Sequence, residues 1–157
     1  MSLMDAKEYD PRPAQRRWRI IGALVLLAAA VAVYLYLTRY NSEKAVINKL
    51  FTALEQKDFE KAYGIYHADP DWKQHPEKYS AYTLGQFTLD YGPSSEYGVI
   101  TSHHVDCALK PKSNASGVVV VVTINHRAEP HSMWVETKSK AITDPSPVGN
   151  VLCHGQQ

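Results

Sequence analysis

Between Ala23 and Tyr63 the sequence contains neither glycine nor proline. Nothing in that interval breaks a helix, so one helix can run into the next without a flexible joint. Charge is missing where it would matter most. From Ile20 to Leu37 (IIGALVLLAAAVAVYLYL) there is no charged residue, no proline and no strongly polar side chain. From Tyr40 onward, acidic residues outnumber basic ones by only two. That balance excludes the basic footprint of a nucleic-acid-binding domain and gives no attraction to an anionic membrane surface. Cysteine is limited to Cys107 and Cys153. Neither follows the apolar run, which is therefore not a lipoprotein signal, and Cys153-His154 lacks the further ligands of a zinc site. There is no internal repeat and no low-complexity tract.

What is present begins with that apolar run. As a helix it is about 27 Å long, close to the thickness of a bilayer's hydrocarbon core. Arg16, Arg17, Trp18 and Arg19 flank one end, and Tyr34, Tyr36, Arg39 and Tyr40 flank the other. Amphipathic rings favour the headgroup level, so these residues read as membrane-interface anchors. The flank before the run carries Lys7, Arg12, Arg16, Arg17 and Arg19, and the flank after it only Arg39, Lys44 and Lys49. The excess places the N-terminus in the cytoplasm and the remainder outside, in a bacterium in the periplasm. Ala30-Val31-Ala32 has the composition of a signal-cleavage site, but cutting there leaves a mature chain beginning VYLYL, so the span is retained. A buried soluble helix would not be apolar on every face between basic and aromatic flanks. The chain thus divides into a basic lead (1–19), extended or disordered, a transmembrane helix (20–38) that meets the lipid bilayer through 20–37, a folded head (42–143) and a loose tail (144–157).

The whole 157-residue chain is 45% hydrophobic and 21% charged, a globular balance. Ser42 is the expected N-cap of an amphipathic helix carrying Val46, Ile47, Leu50, Phe51 and Leu54 on one face. It starts within about five residues of the membrane, which holds the head close to the bilayer. Asp58 caps a second helix, with Phe59, Ala62, Tyr63 and Tyr66 at helical spacing. Thr83 and Gln86 fit a capping box opening a third, and Gly92-Pro93 stops it. The period then changes to two. Glu96–Lys110 reads as a long strand with Tyr97, Val99, Thr101, His103, Val105, Cys107 and Leu109 on one face. Val118–Arg127 reads as a central strand, and His131–Lys140 as a third that Ala141-Ile142-Thr143 extends. This order gives an α+β architecture, three helices on one face of an antiparallel sheet.

The stretch Ala53-Leu54-Glu55-Gln56-Lys57-Asp58-Phe59-Glu60-Lys61-Ala62-Tyr63, set before long strands, resembles the cone-shaped superfamily of nuclear transport factor two, ketosteroid isomerase and scytalone dehydratase. Within it the chain is most similar to small single-span bacterial membrane proteins with one such domain. The resemblance implies a cone-type domain, a curved sheet wrapped by three helices, over Ser42 to Thr143. The superfamily's enzymes use an acidic base and neutral acid donors in an apolar pocket. No Asp or Glu falls on the apolar face of either long strand here, and Asp106 lies on the polar face with His104, so no catalytic role carries over. No cofactor and no metal site is expected.

The candidate pocket residues are Tyr97, His103, Cys107 and His126. A hairpin around Pro111–Gly117 with His103 opposite His126 would pair the two imidazoles. His67 and His131 sit near turns and read as surface residues. Cys107 reads as a buried, inert thiol, although an oxidising compartment would permit a bridge to Cys153. Trp72 in a polar loop and Trp134 on a polar strand face are candidate interface residues for a protein partner or homodimer. The expected function is a membrane-anchored, non-enzymatic interaction module, an accessory or assembly subunit of a membrane complex. The alternatives are a small-ligand carrier or sensor using the cone pocket, and a dehydratase- or isomerase-type enzyme.

Overall fold

A computed structural model describes residues 12–153, with side chains from residue 17 onward. The lead before residue 12, the Arg16 side chain and the end of the tail, including His154, lie outside the described residues. The chain forms two compact units that divide between Arg39 and Tyr40.

The first unit is helix α1, Arg12–Thr38. The lead is therefore helical from Arg12, earlier than expected. Pro13 falls in the first turn, where a missing N–H removes no helical bond. The helix is long and apolar enough to cross a membrane. Trp18, Tyr34 and Tyr36 are exposed on it, and the Arg39 guanidinium sits 4.1 Å from the centre of the Tyr36 ring.

The second unit opens with α2, Asn41–Glu55, which begins one residue before the expected cap. The Ser42 hydroxyl is spent on the Glu43 carboxylate at 2.8 Å instead of capping backbone. Tyr40, expected at the membrane edge, packs against the core of this unit. Ile47, Leu50, Phe51 and Leu54 are buried along one face. The helix ends in a Schellman turn: Asp58 N–H reaches Ala53 O and Lys57 N–H reaches Leu54 O, both at 2.9 Å, with Lys57 at φ 59°. Helix α3, Phe59–Tyr66, starts at once, its cap Asp58 accepting from Lys61 N–H at 3.1 Å. Two short 3-10 turns, Trp72–Gln74 and Pro76–Tyr79, lead to α4, Leu84–Tyr91. Thr83 caps α4, but Gln86 turns its amide to Asp90, so only half of the capping box forms. Gly92 is required after α4, because a Cβ there would lie 2.2 Å from the Thr88 carbonyl oxygen.

The sheet is antiparallel and ordered β1-β2-β3-β4, with β1 His103–Leu109, β2 Gly117–Ile124, β3 His131–Glu136 and β4 Ile142–Thr143. Val118, Val120, Val122 and Ile124 of β2 pack toward the helices with Met133 and Val135 of β3. Val119 and Val121 form a second core on the other face with Trp134.

Three expectations for the strands change. The first strand is half the expected length, because β2 ends at Ile124, opposite His103, and leaves residues 96–102 no strand partner. The Asn125 side chain substitutes: Oδ1 accepts from Thr101 N–H and Ser102 N–H, and Nδ2 donates to Tyr97 O and Val99 O. The expected long third strand folds back after Glu136, and Ile142–Thr143 pairs with β3 as a separate strand. Finally, the register shifts between Val105 and Cys107. Asp106 is the extra residue, and the Thr123 hydroxyl donates to it at 2.8 Å. A bulge reverses the alternation, so Cys107 leaves the face of His103 and Val105 and joins Val121 and Trp134.

The tail is not loose over its described part. Ser146 N–H donates to Ser132 O at 3.2 Å. The Ser132 hydroxyl donates to Val151 O at 3.2 Å and accepts from Val151 N–H at 3.0 Å. Cys153 forms a disulfide with Cys107, which corrects the expectation of an inert thiol. Val151 and Cys153 cover Trp134, Val119 and Val121.

Candidate functional site

An open cavity of about 760 Å³ lies where α3, α4, the 92–98 loop, the start of β3 and the end of β4 converge. Its polar centre is Asp144, the first residue after β4. One carboxylate oxygen accepts from His131 Nε2 at 2.6 Å, and the other from the Tyr91 hydroxyl. On the far side of the imidazole, His131 Nδ1 is 3.1 Å from the Tyr97 hydroxyl. Ionised Asp144 only accepts, so Nε2 carries a proton; in the neutral ring Nδ1 then accepts from Tyr97 O–H. The result is a hydrogen-bonded chain, Tyr97 to His131 to Asp144, whose members polarise and fix one another.

Each member is held by its own element. His131 opens β3 opposite Val122 and shares the inner face with Met133 and Val135. Tyr97 is held by Asn125, through the bond to its carbonyl. Tyr66 and Tyr91 end α3 and α4. The Tyr82 hydroxyl donates to Asp90 at 2.8 Å. The phenols are neutral groups. Burial, reinforced by the Asp144 charge, pushes Tyr66 up to about 12 and Tyr91 well above the usual phenol range. Burial also raises Tyr97 and Tyr82, helped by Glu96 and Asp90 respectively.

Two further lining residues carry buried polar atoms with no protein partner, His67 Nε2 and Ser95 Oγ. His67 is not a surface residue. Its ring centre packs 4.4 Å from that of Tyr79 and 4.5 Å from that of Tyr63, and burial, then Lys78, hold it below the usual histidine range. Buried polar atoms are normally paired, and these two are shielded from the open cavity as well as from a protein partner.

Of the expected pocket residues only Tyr97 lies here. His103 instead bridges β1 to α2. Its Nδ1 meets Glu55 Oε1 at 2.7 Å, its Nε2 meets Asn48 Oδ1 at 3.0 Å, and its ring stacks on Phe51. It is opposite Ile124, not His126. His126 occupies the β2–β3 turn at φ 56° and is exposed. Cys107 is on the opposite face of the sheet, in the disulfide. Trp134 is 7% exposed and covered by the tail, so it offers no interface. Trp72 is half-buried, with Nε1 donating to Glu60 O at 3.2 Å. It lines a separate groove of about 790 Å³ with Val46, Ile65 and Pro70.

Sequence reasoning missed His131, Asp144, Tyr66, Tyr91, Tyr82 and His67. The alternation His131, Met133, Val135 carried a usable signal, since it sets His131 on the face of two core residues. Among the described residues no group of His, Cys, Asp and Glu converges as a metal-binding set. Comparison with protein-family models, with characterised proteins and with solved structures finds no match to this chain.

Proposed function

We propose that the chain is a single-span membrane protein whose head binds a small ligand in the Tyr97–His131–Asp144 cavity, as a carrier or sensor. The observation that carries this reading is the cavity itself: an open space of about 760 Å³ whose wall holds Tyr97, His131, Asp144 and Tyr91 in one run of hydrogen bonds. A polar frame fixed by its own hydrogen bonds is preorganised for a ligand. Helices on one face of an antiparallel sheet, with a cavity beside them, support a cone-type domain. The apolar α1 supports a bilayer anchor. The disulfide and the charge excess before the span together support a head outside the cytoplasm, where such bridges persist.

A second reading, an accessory subunit, rests on the groove at Trp72. Its floor is apolar, and its rim mixes Lys49, Lys61, Lys73 and Lys140 with Asp58 and Glu60, Lys73 being paired with Glu60 and Lys140 with Glu43. That surface suits a partly apolar protein segment.

The test is extraction of the tagged full chain from native membranes in a mild uncharged detergent, followed by native mass spectrometry. A small molecule that copurifies with the wild type and is lost in His131→Ala, with the folding transition retained, supports the carrier or sensor. A stoichiometric protein complex without a small molecule, undisturbed by His131→Ala and broken by Trp72→Ala, replaces it with the accessory-subunit reading.

A further inference from the structure

The charge and ring chemistry of the cavity narrow its ligand. We infer that the cavity takes a small organic cation, an amine or quaternary ammonium with a hydrocarbon body; this rests on the ligand-binding reading above. Four tyrosines, Tyr66, Tyr82, Tyr91 and Tyr97, line the cavity together with three carboxylates, Asp90, Glu96 and Asp144, and no Lys or Arg lines it. Aromatic faces are negative at their centres and attract a desolvated cation, most strongly where several rings meet. Tyr66 and Tyr91 are core residues, 7% and 3% exposed, so the ring surface open to a ligand belongs chiefly to the half-buried Tyr82 and Tyr97.

The surrounding cations do not neutralise this site. Arg127 lies in the neighbouring cavity, 5.4 Å from the Tyr97 ring, with its guanidinium donating to Glu96 O. Lys78 lies over Tyr79, outside the lining. Even with His131 protonated against Asp144, the carboxylates remain in excess. An anionic ligand would bring its charge against Asp90, Glu96 and Asp144 with no Lys or Arg to receive it. Leu89, Ile142 and Pro145 supply apolar contact for a hydrocarbon body.

Three probes of one shape but different charge separate the classes: benzylammonium, benzyl alcohol and benzoate. Binding is read by saturation-transfer NMR and calorimetry on the full chain in an uncharged detergent at neutral pH. Benzylammonium is expected to bind about tenfold more tightly than benzyl alcohol, with benzoate undetected. Tyr97→Leu should lose the cation, and Tyr97→Phe, which keeps the ring, should retain most of it. Glu96→Gln should weaken it, and added salt likewise. Thermal unfolding of each variant establishes that it is folded. Equal or tighter binding of benzyl alcohol or benzoate overturns the cation class and leaves the ligand-binding reading intact. Failure of all three probes, with no small molecule in the native extract, overturns both.

Discussion

His103 shows how a functional-looking residue is used for packing. Its imidazole is 9% exposed, both nitrogens are hydrogen-bonded, and one face stacks on Phe51. Replacing it by Ala leaves Glu55 and Asn48 without that partner and opens a gap against Phe51. The expected cost is about 2–3 kcal/mol. The detergent-solubilised full chain should show a lower unfolding midpoint, with ligand retention equal to wild type. Loss of ligand at an unchanged midpoint would restore His103 to the pocket and sink the present assignment. The residue scale also explains what the sequence concealed. Tyr97 reaches the cavity for a reason alternation does not supply: it sits in a turn before β1, held through its carbonyl by Asn125. Asp144 was not legible, because its partner Tyr91 is 53 residues away in sequence and nothing local marks a carboxylate as buried. Cys107 was misread because a single extra residue, Asp106, reverses every face after it, and no glycine announces that bulge.

At the scale of elements, the helices were legible and the strand ends were not, for a common reason. A helix satisfies its backbone locally, and its caps Asp58 and Thr83 are adjacent residues. A strand ends where its partner ends, and here the end of β2 at Ile124 set the start of β1. The tail is the extreme case. From 144 to 153 it has no periodicity, and its order comes from Ser132, from the apolar face around Trp134 and from the disulfide. That bridge joins residues 46 apart, worth about 4 kcal/mol on chain-entropy grounds. A Cys107→Ser, Cys153→Ser double variant should therefore unfold at a clearly lower midpoint. Amide exchange should accelerate at Val151 and Ser146 while the β2 amides stay protected. Unchanged exchange at Val151 would mean that Ser132 and the apolar face hold the tail without the bridge. Because Asp144 begins this segment, the same experiment reports whether the outer face of the sheet supports the cavity on its inner side.

For the head as a whole, ionisable groups bound its stability from both sides of neutral pH. On the acid side stands Glu43, buried in α2 against Lys140 at 2.6 Å. Burial alone would raise its pKa, but the hydrogen bonds from Lys140 and Ser42 hold it below the usual value of 4.5. A depressed carboxyl stabilises the fold above its unfolded pKa and loses that contribution as pH falls through the folded one. On the alkaline side stand Tyr66, Tyr82, Tyr91 and Tyr97, all raised chiefly by burial. Their sign is opposite in pH. An unfolded chain releases the phenolic proton near pH 10, while the folded head keeps it, so the contribution is complete below about 10 and declines as pH rises toward the folded values. Four such groups in one cavity wall act together, and the fall should be steep. The unfolding midpoint should be flat from neutral pH to about 9 and then drop, with phenolate absorbance from these four rings appearing only together with unfolding. If the cavity phenols instead titrate freely near pH 10 with the head still folded, they are open to water, and the dry aromatic wall on which cation recognition depends does not exist.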